Sequence, residues 1–144
     1  MFDTEAMPNP APSQPFRGVL LGESLRLSIV LDGPDLSVRR IWRSDSGDPN
    51  AGQPSRWTFI EFEVAGALAD DLATALRRVL NATGGWYCSF GSDDEMVVVF
   101  AGRSFRYARS DHQARHDVEI YARSVGVPEA QLDWETWRPP PRRA

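Results

Sequence analysis

Residues 95–109, EMVVVFAGRSFRYAR, constrain the fold of this chain more than any other segment. Three consecutive valines, Val97 to Val99, favour a buried β-strand because β-branched side chains pack well on a sheet. The dipeptide Ala101-Gly102 predicts a tight turn, and Arg103 to Arg109 has the composition of a second strand. The segment therefore predicts two strands joined by a tight turn within an antiparallel sheet.

Two other segments have the periodicity of amphipathic helices. In Ala67 to Leu80, apolar residues recur at helical spacing, with acidic residues in the first turn and arginines in the last. That distribution of charge suits the helix dipole. A second helix is expected to begin at Ser110 or Asp111, either of which is a good N-cap, and to end at Gly126.

Further strands are expected before and after the first helix. Leu25 to Leu31 alternates in polarity, and the turn sequence at residues 32–35 leads into Leu36 to Arg43, so these two segments predict a hairpin. The pattern of Val19 to Ser24 fits either a strand or a short helical turn. Two segments rich in aromatic and β-branched residues predict additional strands, at residues 57–64 and 86–90.

The predicted element order is β-β-β-α-β-β-β-α, which indicates an α+β domain with two helices covering one face of an antiparallel sheet. A ferredoxin-like arrangement of the second half is an alternative. The domain is expected to span residues 16–137, between a disordered Pro-rich arm (1–15) and a disordered Pro/Arg tail (138–144). Residues 44–56 predict a long, mobile loop.

Composition limits the compartment and the class of partner. The chain has 144 residues and a net charge of −4, which argues against general nucleic-acid binding. Its longest apolar run, Met96 to Ala101, is too short to cross a bilayer. Cys88 is the only cysteine, so no intramolecular disulfide can form, which favours the cytoplasm. Because phosphate-binding glycine motifs are absent, no cofactor is expected.

Two features bear on enzyme chemistry. His112 and His116 are four residues apart, so a helix places both, together with Glu119, on one face as weak candidates for metal ligands. That face points away from the apolar stripe, which favours a solvent-facing pair. Cys88 shares a strand face with two aromatic residues, which favours a buried, inert thiol. A small enzyme using either feature is the alternative to a binding protein.

Arginines and aromatic residues cluster in two predicted strands, at residues 39–43 and 103–109. If these strands are neighbours, they form a basic patch suited to phosphate, carboxylate or an acidic protein surface. We therefore expect a non-enzymatic binding protein for an unknown protein or small acidic ligand. A nucleic-acid accessory protein is a further alternative, and a homodimer stays open. The expected binding residues are Trp42, Arg43, Arg103, Arg106 and Tyr107.

Several segments resemble a group of small hypothetical proteins of high-GC Gram-positive bacteria. The likeness is carried by GWYCSF, EMVVVFAGRSFRYARSD and GVPEAQLDW, and it extends to RIWRSDSGD and QPSRWTFIEFEV. It covers roughly residues 16–137. No activity is assigned to the group, so the resemblance implies a stand-alone bacterial cytoplasmic domain and no catalytic residues.

Overall fold

The computed structural model describes residues 14–142, which form six strands and two α-helices. The strands are β1 (Phe16–Leu21), β2 (Ser37–Asp45), β3 (Arg56–Val64), β4 (Cys88–Gly91), β5 (Glu95–Phe100) and β6 (Arg103–Ala108). The helices are α1 (Ala69–Val79) and α2 (His112–Ser124). The predicted α+β class and the order β-β-β-α-β-β-β-α are confirmed. Within the described residues, no helix is long and apolar enough to span a membrane.

The strands form a single sheet in the order β2-β3-β1-β4-β5-β6, and all neighbouring pairs are antiparallel. Because β1 is antiparallel to both of its neighbours, β3 and β4 run parallel to each other with β1 between them. Helix α1 connects β3 to β4, so these elements form a split β-α-β unit. Strands β2 and β6 are the edges of the sheet.

The two helices pack against opposite faces of the sheet, which corrects the prediction that both cover one face. In β5, Val97 and Val99 pack in the core beneath α1, whereas Met96, Val98 and Phe100 pack with α2. Side chains alternate between the faces of a strand, so an uninterrupted apolar run supplies both cores. A ferredoxin-like arrangement keeps both helices on one face, and that alternative is therefore wrong.

The first strand is β1, and the predicted strand from Leu25 to Leu31 does not form. Residues 25–36 run along α1 instead, where the Arg26 amide donates to the Val79 carbonyl at 2.8 Å. Ser28 has a φ of 62°, which interrupts the extended backbone. The predicted hairpin is consequently wrong, because β2 pairs with β3. Both alternatives for residues 19–24 occur in part, since β1 is followed by a short 3-10 turn.

The face of the sheet that carries α2 is covered in two parts. Helix α2 packs on β5 and β6 through Val118 and Ala122. Over β1 and β3, the same face is covered by an aromatic cluster centred on Trp57, Phe59 and Trp86. The chain after α2 returns across this second area, which positions the site described below.

Part of the predicted domain organisation lies outside the described residues. Residues 1–13 of the expected N-terminal arm and residues 143–144 of the expected tail belong to this part. Residues 138–142 are described, and Arg40 Nη1 donates to the Pro140 carbonyl at 2.9 Å. The beginning of the tail therefore contacts β2.

Candidate functional site

The five predicted binding residues lie at opposite edges of the sheet. Trp42 and Arg43 are on β2, whereas Arg103, Arg106 and Tyr107 are on β6. Four strands separate these edges, so the two arginine-rich segments are not neighbours. The shared basic patch therefore does not form, and each residue has a separate environment.

Two of the β6 residues are engaged within the molecule. Arg106 binds both carboxylate oxygens of Glu95 and also contacts Asp70, at distances of 2.9–3.0 Å. The hydrogen bond to Arg106 is the main cause that lowers the pKa of Glu95 below its usual range. Tyr107 is buried, and its hydroxyl donates to Glu135. Burial is the main cause that raises the pKa of Tyr107, so its hydroxyl stays protonated.

The remaining arginines of the predicted set, Arg43 and Arg103, are exposed. The Arg103 guanidinium lies 4.7 Å from the ring centre of Phe105 and 4.8 Å from that of Tyr121, which are cation–π distances. Arg43 is exposed on β2. Contacts of Arg43 and Arg103 with a partner therefore stay a prediction.

The candidates for enzyme chemistry do not assemble into a site. His116 Nδ1 lies 3.9 Å from Glu119, whose other oxygen lies 3.4 Å from Arg115, and His112 is exposed. Among residues 14–142, no three His, Cys, Asp or Glu side chains group closely enough to hold a metal ion. Burial raises the pKa of the Cys88 thiol to about 12, which disfavours a nucleophilic thiolate at neutral pH.

The sequence reasoning missed a pocket of about 360 Å³ on the sheet face that carries α2. Val19 and Leu21 of β1 contribute to its lining, together with β3. Residues 128–137 form the opposite wall, called the C-terminal wall below. Aromatic side chains line much of it: Trp57, Phe59, Trp86, Tyr87, Trp134 and Trp137. The available signal was this density of aromatic residues outside the helices, but their positions in sequence do not show that they converge.

Ring stacking holds the C-terminal wall against the sheet. The rings of Trp42 and Phe59 are 5.0 Å apart, and those of Phe59 and Trp137 are 6.0 Å apart, with planes within 5° of parallel. Such offset pairs of aromatic rings are favourable. Trp42, one of the predicted binding residues, therefore supports the pocket from behind Phe59 and does not itself line it.

A buried glutamine joins the loop between β2 and β3, which is confined to residues 46–55 because 44, 45 and 56 belong to the strands, to the C-terminal wall. Gln53 is 3% exposed, and its side chain exchanges two hydrogen bonds with that of Gln131, at 2.9 and 3.0 Å. It also donates to the Gly84 carbonyl and accepts from the Asp48 amide. This network connects the loop to the C-terminal wall through Gln53, and the mobility of the loop stays a prediction.

The charged side chains that line the pocket are both carboxylates. Burial raises the pKa of Asp133 above its ordinary value, and no basic side chain of the described chain lies within ion-pairing distance. Asp48 accepts a hydrogen bond from the Asn50 amide at 2.9 Å.

Two uncharged polar groups also line the pocket. The Tyr87 hydroxyl donates to a backbone carbonyl at 2.5 Å, and burial raises the pKa of Tyr87. The Trp57 indole N–H, which is inaccessible, has no acceptor within the described chain.

A second cavity, of about 620 Å³, adjoins this pocket at Trp134 and Trp137. It differs in charge, because Arg17, Arg109 and Arg138 contribute to its lining. Their guanidinium groups are already bound to oxygen atoms of the protein. Glu61 and Asp93 line this second cavity as well, so it is mixed in charge, whereas the charged groups of the first pocket are all carboxylates.

Comparisons of the chain with protein-family models, with curated proteins and with solved structures find no significant match. The geometry and chemistry of the pocket are therefore the basis for a functional assignment.

Proposed function

We propose that this chain is a non-enzymatic binding protein that holds a small, largely apolar ligand between the sheet and residues 128–137. The lining is the main support for this proposal, because six aromatic side chains line a cavity of about 360 Å³. Ligand pockets typically enclose roughly 300–1,000 Å³ and combine apolar walls with a few placed polar groups. The pocket has this composition.

The residues of the pocket favour binding over catalysis. Within the described chain, no histidine, cysteine or arginine lines it, and lysine is absent from the sequence. A nucleophile paired with a histidine or lysine base is therefore not assembled there. The alternative of an enzyme using His112, His116 or Cys88 gains no support from the exposed histidines or the buried thiol.

The charge of the pocket bears on the choice of ligand. Asp48 and Asp133 would repel a small acidic ligand. The expectation that the ligand is small and acidic therefore fits this pocket poorly. A protein partner at the edges of the sheet, through Arg43 or Arg103, stays a separate prediction.

The cytoplasm is our proposed compartment, supported by the single, free and buried Cys88.

The proposal is tested by obstructing the mouth of the pocket. Ala130 is exposed and contributes to the lining, so Ala130→Trp places a large side chain there without disturbing the core. The neutral fluorescent probe 1-N-phenylnaphthylamine is titrated into the protein, with energy transfer from the pocket tryptophans as the signal. We expect saturable binding with a stoichiometry of one, weakened about tenfold or more by Ala130→Trp.

The matched control is Ala82→Trp, which adds the same side chain at an exposed position outside the pocket. This variant is expected to bind the probe as the unmodified protein does. Circular dichroism and the unfolding temperature verify that both variants are folded. Probe binding that is absent from the native protein, or equal in all three proteins, would refute the proposal.

A further inference from the structure

We propose that the pocket binds a small organic cation, whose substituted ammonium group lies against the tryptophan rings and beside Asp133. This inference deepens the proposed function and rests on it, because it assigns a charge and a chemical class to the ligand of the same pocket.

The aromatic rings suit a cation by their arrangement. Trp57 and Trp86 are 5.5 Å apart with planes inclined by 52°, and Tyr87 and Trp134 are 5.5 Å apart with planes inclined by 78°. All four residues line the pocket, so they present rings of different orientation to it. The face of an aromatic ring carries negative electrostatic potential, so such a group of rings attracts quaternary and other substituted ammonium ions.

The carboxylates supply the second attraction. Two acidic residues of the sheet have an arginine partner: Glu61 binds Arg40 and Glu63 binds Arg17, at 2.7 and 2.8 Å. Asp133 is half-buried without such a partner in the described chain, although the sequence contains sixteen arginines. A partly buried charge without a counterion costs free energy, and a bound cation would offset that cost. The upward displacement of the pKa of Asp133 is consistent with this missing counterion.

The test compares a cation with its neutral isostere. Choline and 3,3-dimethylbutan-1-ol have almost the same shape, but a quaternary nitrogen replaces a quaternary carbon. Each is titrated into the full-length protein by calorimetry, and displacement of 1-N-phenylnaphthylamine locates the binding in the pocket. We expect choline to bind about tenfold more tightly than the alcohol, since cation–π and carboxylate contacts act only on the charge.

A charge-removing variant identifies the carboxylate. Asp133→Asn keeps the size of the side chain, and it is expected to weaken choline binding about tenfold while changing the affinities for the neutral alcohol and the fluorescent probe much less. Asp35→Asn is the matched control, because it removes the same charge from an exposed residue outside the pocket. Retained probe binding shows that any loss of choline affinity does not come from unfolding.

A substituted ammonium group occurs both in small molecules and on methylated lysine side chains, and a third titration separates these sources. A short peptide with trimethyl-lysine should bind no more tightly than choline if the ligand is a free small molecule. Peptide binding more than about tenfold tighter would overturn that assignment.

Three other results would overturn the cation inference. They are equal affinity for choline and the alcohol, no choline binding at millimolar concentration, and unchanged choline affinity in Asp133→Asn. Each leaves the proposed function standing if the neutral probe still binds and Ala130→Trp still blocks it. Failure of the probe to bind refutes the proposed function itself, so the two failures are distinguishable.

Discussion

At the scale of single residues, the absence of a side chain at Gly18 determines how tightly the centre of the sheet packs. Gly18 of β1 lies opposite Phe62 on β3 and Phe90 on β4. These two rings meet edge to face, with centres 5.9 Å apart. A Cβ atom at Gly18 would lie 2.3 Å from the Ser89 carbonyl oxygen and 2.5 Å from the Phe90 Cβ. Backbone atoms form part of this obstruction, so a side-chain rotation cannot relieve it.

Gly18→Ala is therefore expected to lower the free energy of unfolding by about 1–3 kcal/mol, the usual cost of overpacking. Urea denaturation measures this change. Gly22→Ala is the matched control, because its Cβ would make only an ordinary contact of 3.5 Å with Thr58. A loss of stability that is no greater for Gly18→Ala than for Gly22→Ala would contradict the packing argument.

At the scale of elements, the sequence predicted both helices, and the structure adjusts their ends. Helix α1 begins at Ala69, two residues after the predicted start, because a 3-10 turn at Gly66–Leu68 precedes it. For α2, Ser110 and Asp111 were equally suitable N-caps. The Asp111 carboxylate accepts a hydrogen bond from the Ala114 amide at 3.0 Å, which makes Asp111 the cap.

We expect Asp111→Ala to destabilise the protein by about 1 kcal/mol, because one amide of the first turn of α2 loses its acceptor. Thermal unfolding followed by circular dichroism measures the effect. Ser110→Ala, at the neighbouring exposed position, should change the unfolding temperature much less. A larger effect of Ser110→Ala would show that Ser110, the other N-cap candidate from the sequence, caps the helix.

At the scale of the whole molecule, both faces of the sheet are covered, and this enclosure protects the single thiol. Cys88 lies in β4, an inner strand of the sheet, and is 1% exposed. Its thiol lies 3.5 Å from the Val19 carbonyl of the neighbouring strand. A reagent can therefore reach the sulfur only after the sheet opens.

The Cys88 thiol is expected to react with a disulfide reagent such as Ellman's reagent only through such opening. Its reaction in native buffer should be slower than in denatured protein by orders of magnitude, and urea should accelerate it as it promotes unfolding. Stopped-flow absorbance measures both rates. Rapid modification in native buffer would contradict the buried position and restore Cys88 as a candidate nucleophile.

Part of the fold and little of the site were predictable from the sequence. Turn residues, helical periodicity and β-branched runs act over a few neighbours, so they located β3 to β6 and both helices to within about two residues. The same local rule failed for residues 25–36, because an alternating pattern packs along α1 as well as in a sheet. The site residues chosen from arginine and aromatic density lie on the two edge strands, which sequence spacing does not reveal.

The sequence by itself determined the α+β class and the order of the elements from the second strand onward, since these follow from patterns among near neighbours in the chain. Only the tertiary structure decided that β1 inserts between β3 and β4, that the helices take opposite faces, and that a pocket results. Strand order depends on the joint packing of distant segments, and a local pattern does not show which distant segment a strand pairs with. Trp57 and Trp86 are remote in sequence and meet on the sheet, and Trp134 joins them in the pocket because the chain after α2 crosses the face that α2 leaves open.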